Sequence, residues 1–264
     1  MSNNPVVILG GGPIGMVCAL LLAQQNLGCT LVDARPVAAL QRDRRLLALS
    51  RGTLDLLEPL LGKDFAAMGP IHRIHVSSAG NAGSAQLGSR DFGGVAVGAT
   101  VWYADLVEAL ARALTECPQV QVQRPRRATQ VRQKVQGVEV DLDNGTVLHG
   151  VLAIDAEGTP PQAREAAHYA LLAEVQLPCA AGDAIERFTP QGPLALLPLP
   201  APAAAAGRQV PLQAMSLVWC LPAARARALR DLPDDQLLAE LSHALGSRLG
   251  TPVSLGPRSI FPLL

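Results

Sequence analysis

The spacing of apolar and polar residues divides this chain into a first part that changes period repeatedly and a second part dominated by strands. Pro5-Val6-Val7-Ile8-Leu9 is an unbroken apolar run, as expected of a parallel strand buried on both faces. Glycines and a proline interrupt it, a helix is predicted from Ile14 to Gln25 with Gly28 following it, and Cys29 to Val32 is a second strand. Leucine spacing predicts a mostly helical stretch from Arg42 to Leu61. Ile71 to Ser77 is predicted to be extended, with Gly80 to Gly83 as its turn. Val101, Leu106, Val107, Leu110 and Leu114 recur at helical spacing, which predicts a helix from Val101 to Thr115.

From Val120 to Ile154 the pattern shortens to strands. Val138, Val140 and Leu142 alternate before the hairpin signal Asp143-Asn144-Gly145, and Val151 to Ile154 is predicted to be a buried strand. Tyr169 to Leu177, Gly192 to Leu199 and Met215 to Leu221 are further strands. The Pro/Ala-rich connection Pro200 to Gly207, low in complexity over Ala203 to Ala206, lies among them. A last helix is predicted from Asp234 to Leu249, with Asp234 placed to cap it after Pro233.

Composition narrows the function classes. A chain of 264 residues that is 49% hydrophobic can bury one large domain or two joined ones. Lys+Arg 22 against Asp+Glu 22 leaves no basic footprint, which argues against nucleic acid as a partner. The cysteines, Cys18, Cys29, Cys117, Cys179 and Cys220, form no C-x-x-C pair and suit a reducing compartment. The start lacks the basic segment of a signal peptide, and Met16 to Ala23 is far shorter than the roughly 18 apolar residues of a membrane span. The expectation is a cytoplasmic protein whose contact with a membrane, if made, is peripheral. His72 and His75 form H-x-x-H, but an odd offset on a strand sends them to opposite faces, so no metal is expected.

The chemistry concentrates at Gly10-Gly11-Gly12-Pro13-Ile14-Gly15. This stretch fits G-x-G-x-x-G between a strand and a helix, with Asp33 about 20 residues on at the end of the next strand. Gly10 permits the tight turn, Gly12 lets the backbone approach a pyrophosphate, and Gly15 allows helix and strand to pack closely. Asp33 would accept hydrogen bonds from a ribose 2′-hydroxyl and disfavour a 2′-phosphate there. The spacing through Asp33-Ala34-Arg35 is similar to the adenosine-binding unit of flavoproteins.

Beyond the turn, Asp43-Arg44-Arg45-Leu46-Leu47-Ala48-Leu49-Ser50 resembles a segment of the 2-polyprenyl-6-methoxyphenol hydroxylase family, the flavin-dependent monooxygenases of ubiquinone biosynthesis. Ile71 to Ser77 with Gly80 and Gly83, Glu186-Arg187-Phe188-Thr189-Pro190-Gln191-Gly192-Pro193-Leu194-Ala195-Leu196-Leu197-Pro198, Ser216 to Trp219 and Ser259 to Leu263 continue the resemblance. It implies an α/β protein: a Rossmann-like FAD-binding domain over residues 1–70 and 100–164, and a β-sheet substrate domain over 71–99 and 165–264. It also implies FAD as cofactor, NAD(P)H as cosubstrate, O₂ and a polyprenylated phenol as reactants, and other ubiquinone-biosynthesis proteins as partners. Gly10, Gly12, Pro13, Ile14, Gly15, Asp33, Ala34, Arg35, Arg45, Glu157 and Gly158 would hold the cofactor, with Arg45 suited to a phosphate or ribityl oxygen.

Two features depart from the family. Its Asp-Gly pair followed by Ser and Arg is Glu157-Gly158-Thr159-Pro160-Pro161-Gln162-Ala163-Arg164 here, which moves the carboxylate out by one methylene. The family pattern also runs past Phe-Pro-Leu into a strand and a Gly-Asp motif, whereas this sequence stops at Leu264, so a C-terminally truncated member is expected. Two alternatives share the turn: an NAD-dependent dehydrogenase, for which no catalytic acid or base is identifiable, and a non-catalytic relative acting as a binding module. Trp102 and Tyr103 are read as core or interface residues, and Asp105 and Glu108 as a solvated helix face.

Overall fold

The structure is a computed structural model that describes residues 5–63, 65–158, 166–200, 212–246 and 249–263. In chain order the elements open with β1 (Val6–Leu9), α1 (Pro13–Gln24), β2 (Cys29–Val32), α2 (Val37–Leu40), β3 (Leu46–Ser50), α3 (Arg51–Leu61), β4 (Met68–Ile71), β5 (Arg73–Ser78), β6 (Ser84–Gly88) and β7 (Gly98–Trp102). Next come α4 (Tyr103–Thr115), β8 (Val120–Gln123), β9 (Ala128–Lys134), β10 (Gly137–Leu142), β11 (Val147–Gly150) and β12 (Leu152–Asp155). The remainder is β13 (His168–Pro178), β14 (Asp183–Thr189), β15 (Gly192–Pro198), β16 (Leu212–Pro222), α5 (Ala223–Arg230), α6 (Asp234–Leu245) and β17 (Ser254–Leu263). The chain divides into two compact units, one of Met1–Arg45, Asp55–Ala66 and Trp102–Pro161, the other of Leu46–Leu54, Ala67–Val101 and Gln162–Leu264.

In the first unit β12, β1, β2 and β8 form a sheet in that order, and all three pairings are parallel. β1 and β2 are buried along their whole length, as expected of the apolar run Val6–Leu9 and the mostly apolar Cys29–Val32. Helix α1 turns Met16, Ala19, Leu20 and Ala23 inward, and α4 buries Leu106, Val107, Leu110 and Leu114. Val140 and Leu142 of β10 pack with Val7, Leu9 and Val32. This joins the antiparallel β9–β10–β11 sheet to the parallel one, and its hairpin turns on Gly145 at φ +83°.

In the second unit seven strands pair in the order β17, β13, β16, β15, β14, β5, β6. Met215, Leu217, Trp219 and Leu221 alternate inward on β16, and Leu237, Leu241 and Leu245 of α6 lie four apart in the same core. Full burial of each such side chain contributes about 1.5–3 kcal/mol. Arg187 ties α6 down, donating to the carbonyl of Ala244 at 2.7 Å and to Ser77 Oγ at 3.0 Å. Strands β3, β7 and β4 form a separate three-stranded sheet, and the buried Thr100 hydroxyl lies 2.6 Å from the carbonyl oxygen of Pro198.

Several expectations are corrected. Residues 46–50 form a strand, and the helix starts only at Arg51. Val101 and Trp102 end β7, so α4 begins at Tyr103. The stretch from Val151 lies at a sheet edge, with Val151 and Leu152 each 52% exposed. Asp234 makes no capping hydrogen bond and pairs instead with Arg258, and α6 ends at Leu245. His72 sits between β4 and β5, outside either strand. Among the described residues no cluster could hold a metal, and no helix is long and apolar enough to cross a membrane. Thr159 to Arg164 and Ala203 to Ala206 lie outside the described residues.

Candidate functional site

Because β12, β1, β2 and β8 run parallel, the segments leaving their C-terminal ends emerge along one edge, where open α/β sheets bind ligands. Gly10 follows β1, Asp33 follows β2, Arg124 follows β8, and Ala156, Glu157 and Gly158 follow β12. The glycines differ in what makes them necessary. Gly10 sits at φ +96°, and a Cβ there would overlap the Ala156 carbonyl; at Gly15 a Cβ would overlap the Gly10 carbonyl. Both are demanded by the chain's own packing.

Gly12 is not. It adopts φ −72°, open to any residue, and a Cβ there would meet only the Tyr103 hydroxyl at 3.9 Å. Gly12 is also the N-cap of α1, with Pro13 at the first helical position. The Ile14 and Gly15 amides beyond Pro13 lack intrahelical partners, and such a helix N-terminus favours an anion. Ile14 leaves 71% of its surface exposed beside them. Open room at Gly12, free amides and an uncovered apolar side chain fit a dinucleotide, so the residues present fit the cofactor that the sequence suggests.

Asp33 is 5% exposed and already engaged. Its carboxylate accepts from the Gly11 amide at 2.7 Å and the Arg35 amide at 2.6 Å, with the Arg35 guanidinium 3.4 Å away. It therefore organises the turn, a role that spacing does not reveal. Ala34 is half-buried in the bend after β2. Arg45 is fixed by a bidentate pair with Asp43 at 2.6–3.0 Å and lies over the Tyr103 ring at 5.0 Å. Its carbonyl accepts the Tyr103 amide at 2.9 Å. Burial raises the Asp43 carboxyl, but the hydrogen bonds and charge of Arg45 outweigh it and leave Asp43 below its ordinary value. Burial pushes the Tyr103 hydroxyl up against the opposing pull of Arg35 and Arg45.

Glu157 and Gly158 are exposed, and the Glu157 amide donates to Asp155 Oδ1 at 3.0 Å. The Ala156 amide donates to the Leu9 carbonyl at 2.7 Å, which holds this segment against the turn. The structure thus gathers Gly10, Gly12, Pro13, Ile14, Gly15, Asp33, Ala34 and Arg35 with the Glu157-Gly158 segment, and links Arg45 to the turn through Tyr103. Sequence reasoning missed Tyr103, Ala156 and Arg124. An arginine directly after a strand of a parallel sheet was the available signal for the last.

Comparison with known proteins agrees with this geometry. A family model described as "FAD binding domain" matches residues 3–175. The 3-demethoxyubiquinol 3-hydroxylase of Escherichia coli is 31% identical, with 100% of this chain and 69% of the relative covered. Ubiquinone hydroxylase UbiL of Rhodospirillum rubrum is 28% identical, over 98% of this chain and 61% of the relative. The chain spans about two thirds of the length of these relatives. PqsL, a probable FAD-dependent monooxygenase from Pseudomonas aeruginosa, shares the fold at TM-score 0.68 and 18% identity, covering 98% of this chain and 73% of that one. The extent of the family match, and a relative above 30% identity covered over two thirds, show that the chain belongs to the FAD-binding domain family, among the FAD-dependent hydroxylases of ubiquinone biosynthesis.

Proposed function

We propose that this chain binds FAD at the glycine turn and serves an FAD-dependent monooxygenase that hydroxylates a polyprenylated phenol in ubiquinone biosynthesis, with NAD(P)H as reductant and O₂ as oxygen source. The observation that carries the reading is Gly12, where none of the described residues' side chains fills the space a Cβ would open onto. When bound, FAD would supply the redox and oxygen chemistry. The chain's residues bind and orient. First-turn amides of α1 face the pyrophosphate, Asp33 takes a ribose hydroxyl with its remaining acceptor capacity, and Ile14 covers apolar cofactor surface. Arg45, braced by Asp43 and Tyr103, presents donors to a phosphate or ribityl oxygen. The same reading assigns the first unit to the cofactor and the second, with its seven-stranded sheet, to the phenol, and makes any membrane contact peripheral.

The visible absorption spectrum of the purified chain, with and without added FAD, tests this. Stoichiometric bound flavin bands are the expected result. A colourless protein that takes up neither FAD nor ADP would sink the proposal.

A further inference from the structure

We infer that Arg124 is a positioning residue for the nucleotide, and that glycine stands at position 11 to make room for it. This rests on reading the glycine turn as a nucleotide site. In G-x-G-x-x-G the second position is free, and Gly11 does not adopt the left-handed conformation that favours glycine. Its backbone would accept a side chain. A Cβ there would fall on the guanidinium of Arg124, which would have to move and give up the Gly11 carbonyl.

Arg124 follows β8, and its side chain is 8% exposed. Its Nη2 donates to the Gly11 carbonyl and lies 3.8 Å from Asp33 Oδ2. The Gly11 amide donates to that same oxygen at 2.7 Å. Gly11, Asp33 and Arg124 thus close a ring of contacts across three strand ends. A carboxylate as buried as Asp33 needs a countercharge that water does not screen. Arg35 is within reach, but its side chain is 55% exposed, so Arg124 is the better-shielded cation. The arrangement has a cost: Arg124 Nε is covered and has no acceptor among the described residues. Burial also pulls the Arg124 pKa down, while Asp33 pulls it back up. A fold has little reason to keep a buried, incompletely satisfied guanidinium unless it sets something. Here it fixes the aim of the carboxylate that meets the ribose and adds positive charge beside the pyrophosphate turn.

The test is a double-substitution cycle with ADP as probe, binding measured by calorimetry and the melting temperature of the ligand-free protein measured in parallel. Arg124→Met is expected to weaken ADP binding roughly tenfold or more, the scale of a lost charge-assisted interaction, while still unfolding cooperatively. Arg124→Lys should recover part of the loss, keeping the charge without the planar fork. Gly11→Ala should be comparably damaging in the parent chain and change ADP affinity less than about twofold once Arg124 is methionine, because the residues couple. Additive losses, or Arg124→Met binding ADP as the parent does, would overturn the inference and leave the nucleotide reading intact. A parent chain that binds neither ADP nor FAD would overturn both. If Arg124→Met cannot be purified folded, the same cycle on Arg124→Lys decides: Gly11→Ala must then weaken binding less than it does in the parent.

Discussion

The glycine turn of the first unit and the seven-stranded sheet of the second are both closely packed, yet they meet opposite demands. In the sheet each inward position of β16 is filled, and Met215, Leu217 and Leu221 are fully buried. In the turn the position that the protein's own packing leaves open, Gly12, is the one facing no neighbour closer than 3.9 Å. At Gly10 and Gly15 the surrounding backbone enforces a small residue and so serves the fold; at Gly12, beside the N-terminus of α1, nothing among the described residues does, and the room there suits the proposed nucleotide. Substitutions in the two regions should therefore separate stability from binding.

The largest effect is expected at Leu217→Ala, which should lower stability by about 2–5 kcal/mol in denaturant unfolding while leaving flavin bound per folded molecule unchanged. A loss below about 1 kcal/mol would mean that the sheet repacks freely and the contrast fails. Gly12→Ser comes next. Serine is a better N-cap than glycine, so the melting temperature should hold or rise slightly, yet FAD and ADP affinity should fall at least about tenfold, near 1.4 kcal/mol. A fall in melting temperature like that of Leu217→Ala would show that the open room serves the fold after all.

The smallest effect concerns Glu186 on β14, whose carboxyl burial holds above its ordinary value. A carboxyl raised in the folded state favours folding below its unfolded pKa and loses that contribution as pH rises through the folded value. At neutral pH the charged form therefore costs stability. Glu186→Gln should raise the melting temperature at pH 7 by roughly 1–2 °C, a screened fraction of a kcal/mol. The gain should vanish as pH falls through the ordinary glutamate range near 4. A gain that persists at low pH would assign the effect to packing rather than charge.

The sequence was most legible where local and global preferences agree. The apolar runs of β1 and β2, the turn between them and the alternation of β16 each carry a period that the tertiary structure keeps. Residues 46–50 were misread because their leucines fit a helix as well as a strand, and only pairing with β7, some fifty residues away, decides between them. Val101 and Trp102 were drawn into α4 because apolar spacing ran on across the boundary between β7 and the helix. Arg124 could not be assigned a partner from local pattern, since Gly11 lies 113 residues away and meets it only because β8 adds beside β2. The place of Asp33 directly after β2 was legible from its spacing, but its hydrogen bond to the turn was not, because spacing marks where a residue stands and says nothing of what it already holds.

The different reasons behind the four glycines give this short motif a memory of selection. A lineage released from nucleotide binding would keep Gly10 and Gly15, because losing either breaks the turn, and could replace Gly11 once Arg124 had moved or gone. Gly12 would be the first to drift, at no harm to folding.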